Sequence, residues 1–123
     1  MTNFTNEPAG EARETAILIS VITGSTEAQL LEAEASLAEL KSLAEAAGAE
    51  VVLQATQRRS KLEAATVAGT GKIIELRDAG KMKDATLLIF DNELSGSQIR
   101  NIEKLSELKV IDRTQLILDL CAQ

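Results

Sequence analysis

The sequence predicts an α/β fold: a four-stranded parallel sheet with helices on both faces, in the Rossmann-like three-layer arrangement. Three observations carry this expectation. Short runs of continuous apolar residues, rich in Val, Ile and Leu, occur four times, the pattern of strands buried on both faces. A segment of helical spacing follows each run, so the order is β-α-β-α-β-α-β-α and the strands run parallel. The chain has 123 residues, 45% of them hydrophobic, which is enough for one domain with a real core. With two Phe and neither Trp nor Tyr, that core is aliphatic.

"MTNFTNEPAGEARET" is polar and lacks the apolar stretch of a signal peptide. Residues 1–14 read as a disordered leader, and the domain as residues 15–123. "TAILISVI", residues 15–22, is the first strand and ends at Thr23-Gly24. "STEAQLLEAEASLAELKSLAEAAG" is a long helix with Ser25 or Thr26 as N-cap and Glu27 in an acidic first turn. Leu30, Leu37, Leu40 and Leu43/Ala44 line its buried face, and Gly48 closes its C-terminal end. "AEVVLQATQ" is the second strand, and "RRSKLEAATVAGTG" a loop without period. "GKIIELRDAGKM" is a shorter helix stopped near Gly80, and "DATLLIFD" the third strand. In "NELSGSQIRNIEKLSE" a helix is capped by Ser95 or Ser97 and buries Ile99, Ile102 and Leu105. "LKVID" is the fourth strand. "RTQLILDLCAQ" begins a last helix that reaches Gln123 without cap or breaker, so the sequence reads as a fragment of a longer protein cut at a domain boundary.

Ligands of parallel sheets collect at the carboxyl ends of the strands. Here those loops begin at Thr23, Gln57, Asp91 and Asp112. No apolar run is long enough for a membrane span. A single Cys121 excludes an internal disulfide and fits a reducing, cytoplasmic setting. With no His and one Cys, a zinc site is not expected.

The net charge is −6, but it is unevenly spread. Residues 1–50 hold nine acids and two bases, whereas residues 51–123 hold ten acids and eleven bases. Within 57–83, Arg58, Arg59, Lys61, Lys72, Arg77, Lys81 and Lys83 face only Glu63, Glu75 and Asp78. A basic window in an acidic chain suits a phosphate-bearing partner; a solvated surface with ordinary charge scatter is the plainer alternative.

The window contains "ATVAGTGKIIEL". Gly-x-Gly-Lys before a helix suggests backbone N–H groups and Lys72 turned toward a phosphate, with Gly71 letting the backbone approach it closely; if Gly71 sits at positive φ, alanine there costs stability. A Walker-type loop needs G-x-x-x-x-G-K-[ST]. Thr66 occupies its first glycine position and Ile73 its hydroxyl position, so that motif fails. G-x-G-x-x-G also fails, at Glu75. Gly69 and Gly71 can equally be a tight loop-to-helix turn. Asp91 and Glu93 could hold magnesium or act as acid and base, or simply shape the turn and cap the next helix. Asp112 can cap the last helix, and Arg113 can pair with a carboxylate or project toward a ligand. No triad, Cys-His pair or metal constellation is visible, so no catalytic residue is assigned.

Four stretches in order, "LAELKSLAEAAGAEVV", "ATVAGTGKIIEL", "LLIFDNELSGSQIRNIEK" and "VIDRTQLILDLCAQ", resemble the N-terminal domain of the HflX GTPases across residues 36–123. Ala65, Thr66, Gly69, Gly71 and Lys72 match the family's A-T-Y-I-G-x-G-K loop. Asp91, Glu93, Leu94, Ser95, Gln98, Arg100 and Asn101 match its D-x-E-L-S-P-x-Q-x-R-N segment, and Asp112, Arg113, Thr114 and Asp119 its D-R-T-x-L-I-L-D segment. Val67 replaces the loop tyrosine, removing a stacking platform. Ala64 and Gly96 replace prolines, and Cys121 a phenylalanine.

The resemblance implies a parallel α/β domain that binds the large ribosomal subunit and its rRNA, in a protein that splits or rescues ribosomes. Taken with it, the basic window adds Arg58, Arg59 and Lys61 to the motif residues Thr66, Gly69, Gly71, Lys72, Arg100 and Arg113 as expected RNA or phosphate contacts. GTP and magnesium then belong to a GTPase domain beyond Gln123, the domain's partner within the same protein, and no cofactor is expected in this chain. Two alternatives stand beside it: an ATP-binding or ATPase domain using Gly69–Lys72 with Asp91 and Glu93, and a regulatory scaffold for the GTPase domain.

Overall fold

The computed structural model describes residues 13–122. The expected leader, residues 1–14, falls outside these except for Arg13 and Glu14. Glu14 already joins the sheet: its carbonyl accepts from the Glu50 N–H (2.9 Å) and its carboxylate from the Thr86 hydroxyl (2.5 Å).

The elements alternate as the sequence predicts: β1 (Thr15–Ile22), α1 (Glu27–Ala46), β2 (Glu50–Arg58), α2 (Thr70–Met82), β3 (Leu87–Phe90), α3 (Gly96–Ser106), β4 (Lys109–Asp112) and α4 (Arg113–Cys121). All pairings are parallel, in the order β2-β1-β3-β4. The chain leaves β1 to one side and returns on the other, so the order reverses between β1 and β3, where a crevice opens at the carboxyl ends.

Alternation along β1 sends its side chains to two cores. Ala16 and Leu18, with Leu87, Ile89 and Ile111, meet Leu37, Leu40 and Ala44 of α1 and Leu116 of α4. Ile17, Ile19 and Val21, with Leu88, Phe90 and Val110, meet Ile73 and Leu76 of α2 and Ile102 of α3. β3 is buried throughout and β1 everywhere but at its half-buried ends, whereas the edge strand β2 is half-buried or exposed along its length. A register shift between Ala16 and Ile17 inserts one extra residue of β2, Val52, into the ladder.

The helix ends follow local chemistry. Thr26 caps α1 through a reciprocal capping box with Gln29, and Ser95 caps α3 through the same device with Gln98. Gly48, just past the C-cap Ala47, takes φ 95°, the left-handed step that glycine allows. The expected stop at Gly80 is displaced. α2 continues to Met82, and Gly80 is buried inside it, against Ile17, Ala85 and Leu108. It serves close packing rather than termination. Among the described residues, no helix is long and apolar enough to cross a membrane.

Candidate nucleic-acid interface

The glycine loop is less open than its sequence suggests. Gly69 is the N-cap of α2 with φ −61°, and its N–H donates to Gln57 Oε1 (2.9 Å). The space that a Cβ at Gly69 would occupy is filled by the Arg59 guanidinium. Gly71 does not meet the condition of positive φ. It lies inside the first turn of α2, and a Cβ there would meet nothing within 4 Å. The residue that bears positive φ is Val67, at 62°. The Ala68 N–H reaches back to the Thr66 carbonyl (2.6 Å), closing a tight three-residue turn around it. A β-branched residue there is strained. Glu63 and Val67 exchange backbone hydrogen bonds (3.1 and 2.8 Å), and the buried Thr66 hydroxyl donates to the Ala68 carbonyl (2.7 Å). These contacts and the burial of Val67, 2% exposed, hold the turn.

Two residues of α3 reach this loop from outside. Gln98 Nε2 donates to the Ala64 carbonyl and Asn101 Nδ2 to the Ala65 carbonyl, both at 3.1 Å. Two motifs 34 and 36 residues apart in sequence thus form one unit, in which Gln98 and Asn101 hold the loop.

The candidate cations divide sharply. Arg59 pairs with Glu63 (2.6 Å) and Lys72 with Glu75 (3.5 Å). Arg113 lies away from the loop altogether. Its Nε donates to Asp91 Oδ1 (2.7 Å), its Nη1 to Glu39 (3.0 Å) and its Nη2 to the Ser36 carbonyl (2.6 Å). That network ties α1, β3 and α4 together, so the Arg113 guanidinium is engaged within the protein. Arg58, Lys61 and Arg100 are exposed, and their side chains have no hydrogen-bond or ion-pair partner among the described residues. Arg58 pairs in register with Ile22 at the end of β1, so its side chain leaves the sheet on the α1 face. Lys61 follows two residues into the loop.

The acidic candidates are placed just as clearly. Asp91 accepts from both Arg113 and the Ser36 hydroxyl (2.6 Å), while Glu93 is exposed. The two do not form a paired site. Asp112 is buried; one oxygen caps α4 through the Gln115 N–H and the other accepts from the Leu94 N–H, both at 2.9 Å. Asp119 is buried and accepts from Gln115 Nε2 (3.0 Å), and Thr114 is exposed. Ser36, Gln57 and Asn92 escaped the sequence reading. Asn92 grips the Val21 backbone from both sides of its amide (2.9 and 2.8 Å). Short polar residues inside apolar patterns were the only hint of these roles.

A profile described as "GTP-binding GTPase N-terminal" matches residues 34–122. The GTPase HflX of Lacrimispora saccharolytica is 42% identical over 112 residues, which cover 91% of this chain and 26% of that protein. The chain belongs to the HflX family of GTP-binding proteins. Within the family, the GTPase HflX of Alkalihalophilus pseudofirmus is 48% identical over 91 residues, covering 74% of this chain and 22% of its own length. That of Escherichia coli is 42% identical over 87 residues, covering 71% and 20%. The chain thus spans about a quarter of the length of these HflX relatives. A crystal structure of SsGBP with GDP superimposes with a TM-score of 0.58 at 19% identity, over 89% of this chain and 29% of that one. It shares the fold.

Proposed function

We propose that this domain is the RNA-facing module of an HflX-type GTPase. It docks on the large ribosomal subunit through rRNA phosphates and has no chemistry of its own. The carrying observation is the division among the cations: in a chain of net charge −6, Arg58, Lys61 and Arg100 stay exposed and, among the described residues, unpartnered around the β2–α2 loop, while Arg59, Lys72 and Arg113 are paired internally. Side chains of this kind neutralise phosphates and release counterions. GTP, magnesium and hydrolysis belong, in this reading, to the GTPase domain of the same protein, acting in the cytoplasm to split or rescue ribosomes. The ATP alternative loses support because Asp91 is bound up with Arg113, and Gly69 with Gln57 and Arg59.

Pelleting with purified large ribosomal subunits tests the proposal. Arg58→Glu combined with Lys61→Glu should reduce co-sedimentation about tenfold or more at low salt, and the difference should shrink as salt rises. Equal pelleting of both proteins across the salt series would refute it.

A further inference from the structure

A second feature lies beside the basic loop, at the point where the strand order reverses. Between the ends of β1 and β3, under the first turns of α1, a cleft of about 420 Å³ opens. Its polar lining is mostly satisfied: Asn92 is locked to Val21, and Asp91 and Ser36 to each other and to Arg113. Two groups are not. Ser20 lines the cleft and is 4% exposed, and its hydroxyl has no partner among the described residues. Its oxygen is accessible from the cleft rather than sealed in the core, so a ligand atom can reach it. Glu32, on α1 at the rim, is exposed and carries no ion pair. Ile22, Ala33 and Leu62 supply aliphatic walls.

No lysine or arginine lines the cleft. A phosphate inside would meet Glu32 without a counter-charge, so the occupant is uncharged where it enters. The free cations stand just outside. Lys61 precedes the wall residue Leu62, and Arg58 is the register partner of the wall residue Ile22. A recess that holds a carboxylate and aliphatic walls but no cation, flanked by phosphate-binding side chains, fits a base turned out of a single strand, with its backbone left at the mouth.

We infer that this cleft takes one unpaired nucleobase of the bound RNA, and that the base carries an exocyclic amine. The inference rests on the RNA-facing reading above. A carboxylate only accepts hydrogen bonds, so Glu32 selects a base presenting N–H donors. Guanine offers two adjacent donors and cytosine and adenine an amine, whereas the single N3–H donor of uracil is flanked by two carbonyls that repel the carboxylate. The Ser20 hydroxyl, able to donate or accept, reads a further edge atom.

The test is fluorescence anisotropy of the 123-residue chain with labelled RNA hexamers at low salt. Each hexamer is uridine except for one central guanine, cytosine, adenine or uracil. At least one amine-bearing hexamer, guanine foremost, should bind roughly tenfold tighter than all-uridine. Glu32→Gln, an exposed change whose fold is checked by its melting curve, should bring the four within about threefold of each other. Arg58→Gln should weaken all four alike and lower the salt slope by about one. Binding indifferent to the central base, or selectivity that survives Glu32→Gln, overturns the nucleobase cleft and leaves phosphate binding intact. If no hexamer binds and large subunits are not pelleted either, the RNA-facing reading falls, and this inference with it.

Discussion

The loops at the carboxyl ends of β3 and β4 and the loop after β2 lie on the same rim of the sheet and use similar residues to opposite ends. After β3 and β4, Asp91, Arg113, Ser36 and Asp112 satisfy one another or nearby backbone, and the side chains of Arg113 and Asp91 are only 21% and 10% exposed. After β2, Arg58 and Lys61 point into solvent, and the loop backbone contains a strained turn at Val67. Arginine is thus a tie in one loop and exposed in the other. What separates the two is whether the charge is already satisfied, and this depends on what packs beside it.

The largest expected effect breaks the tie. Asp91→Ala strands Arg113 and the Ser36 hydroxyl, which are mostly buried. Removing one partner of such a pair costs roughly 3 kcal/mol, reduced somewhat by the exposure of Arg113. Urea unfolding should show the lowered midpoint, while RNA binding by the folded fraction should be unchanged.

The strained turn comes next. At most buried positions Val→Gly is far worse than Val→Ala. At Val67 both lose the buried side chain, about 2 kcal/mol, but glycine also relieves a left-handed penalty of roughly 1–2 kcal/mol. Val67→Gly should therefore be no less stable than Val67→Ala by thermal melting. The usual order, with glycine clearly worse, would show that the turn carries no strain.

Gly71→Ala should raise stability by about 0.5–1 kcal/mol, because Gly71 is helical and the added methyl meets open space. A lower melting temperature would restore a left-handed turn at this position. Lys72→Gln should have the smallest effect. It loses a solvent-screened pair with Glu75 worth a few tenths of a kcal/mol, and it relieves a cation at a helix N-terminus by a similar amount. The melting curve should move by less than about 0.5 kcal/mol equivalent.

Much of the fold was legible because it is written in local pattern. β1 ends where its apolar run ends, and Thr26 and Ser95 cap helices whose third residues, Gln29 and Gln98, complete the boxes. The site was legible only as a set of motifs. The spacing before Lys72 suggested a glycine cradle, but Gln57 and Arg59 close it from β2 and the start of the loop. Gly80 read as a stop because glycine ends many helices, yet here its missing side chain serves packing between α2 and β1.

By itself the sequence determined the element order, the parallel sheet and the placement of a basic window in an acidic chain, and it narrowed the α1 and α3 caps to two residues each. Each of these follows from residues within a few positions of one another. Tertiary structure alone decided which charges are free. Arg113 meets Ser36 across 77 residues, Asn92 grips Val21 across 71, and Asn101 holds the Ala65 carbonyl across 36. A hydrogen bond or ion pair depends on distances of a few ångströms, and only the folded sheet brings such distant residues that close.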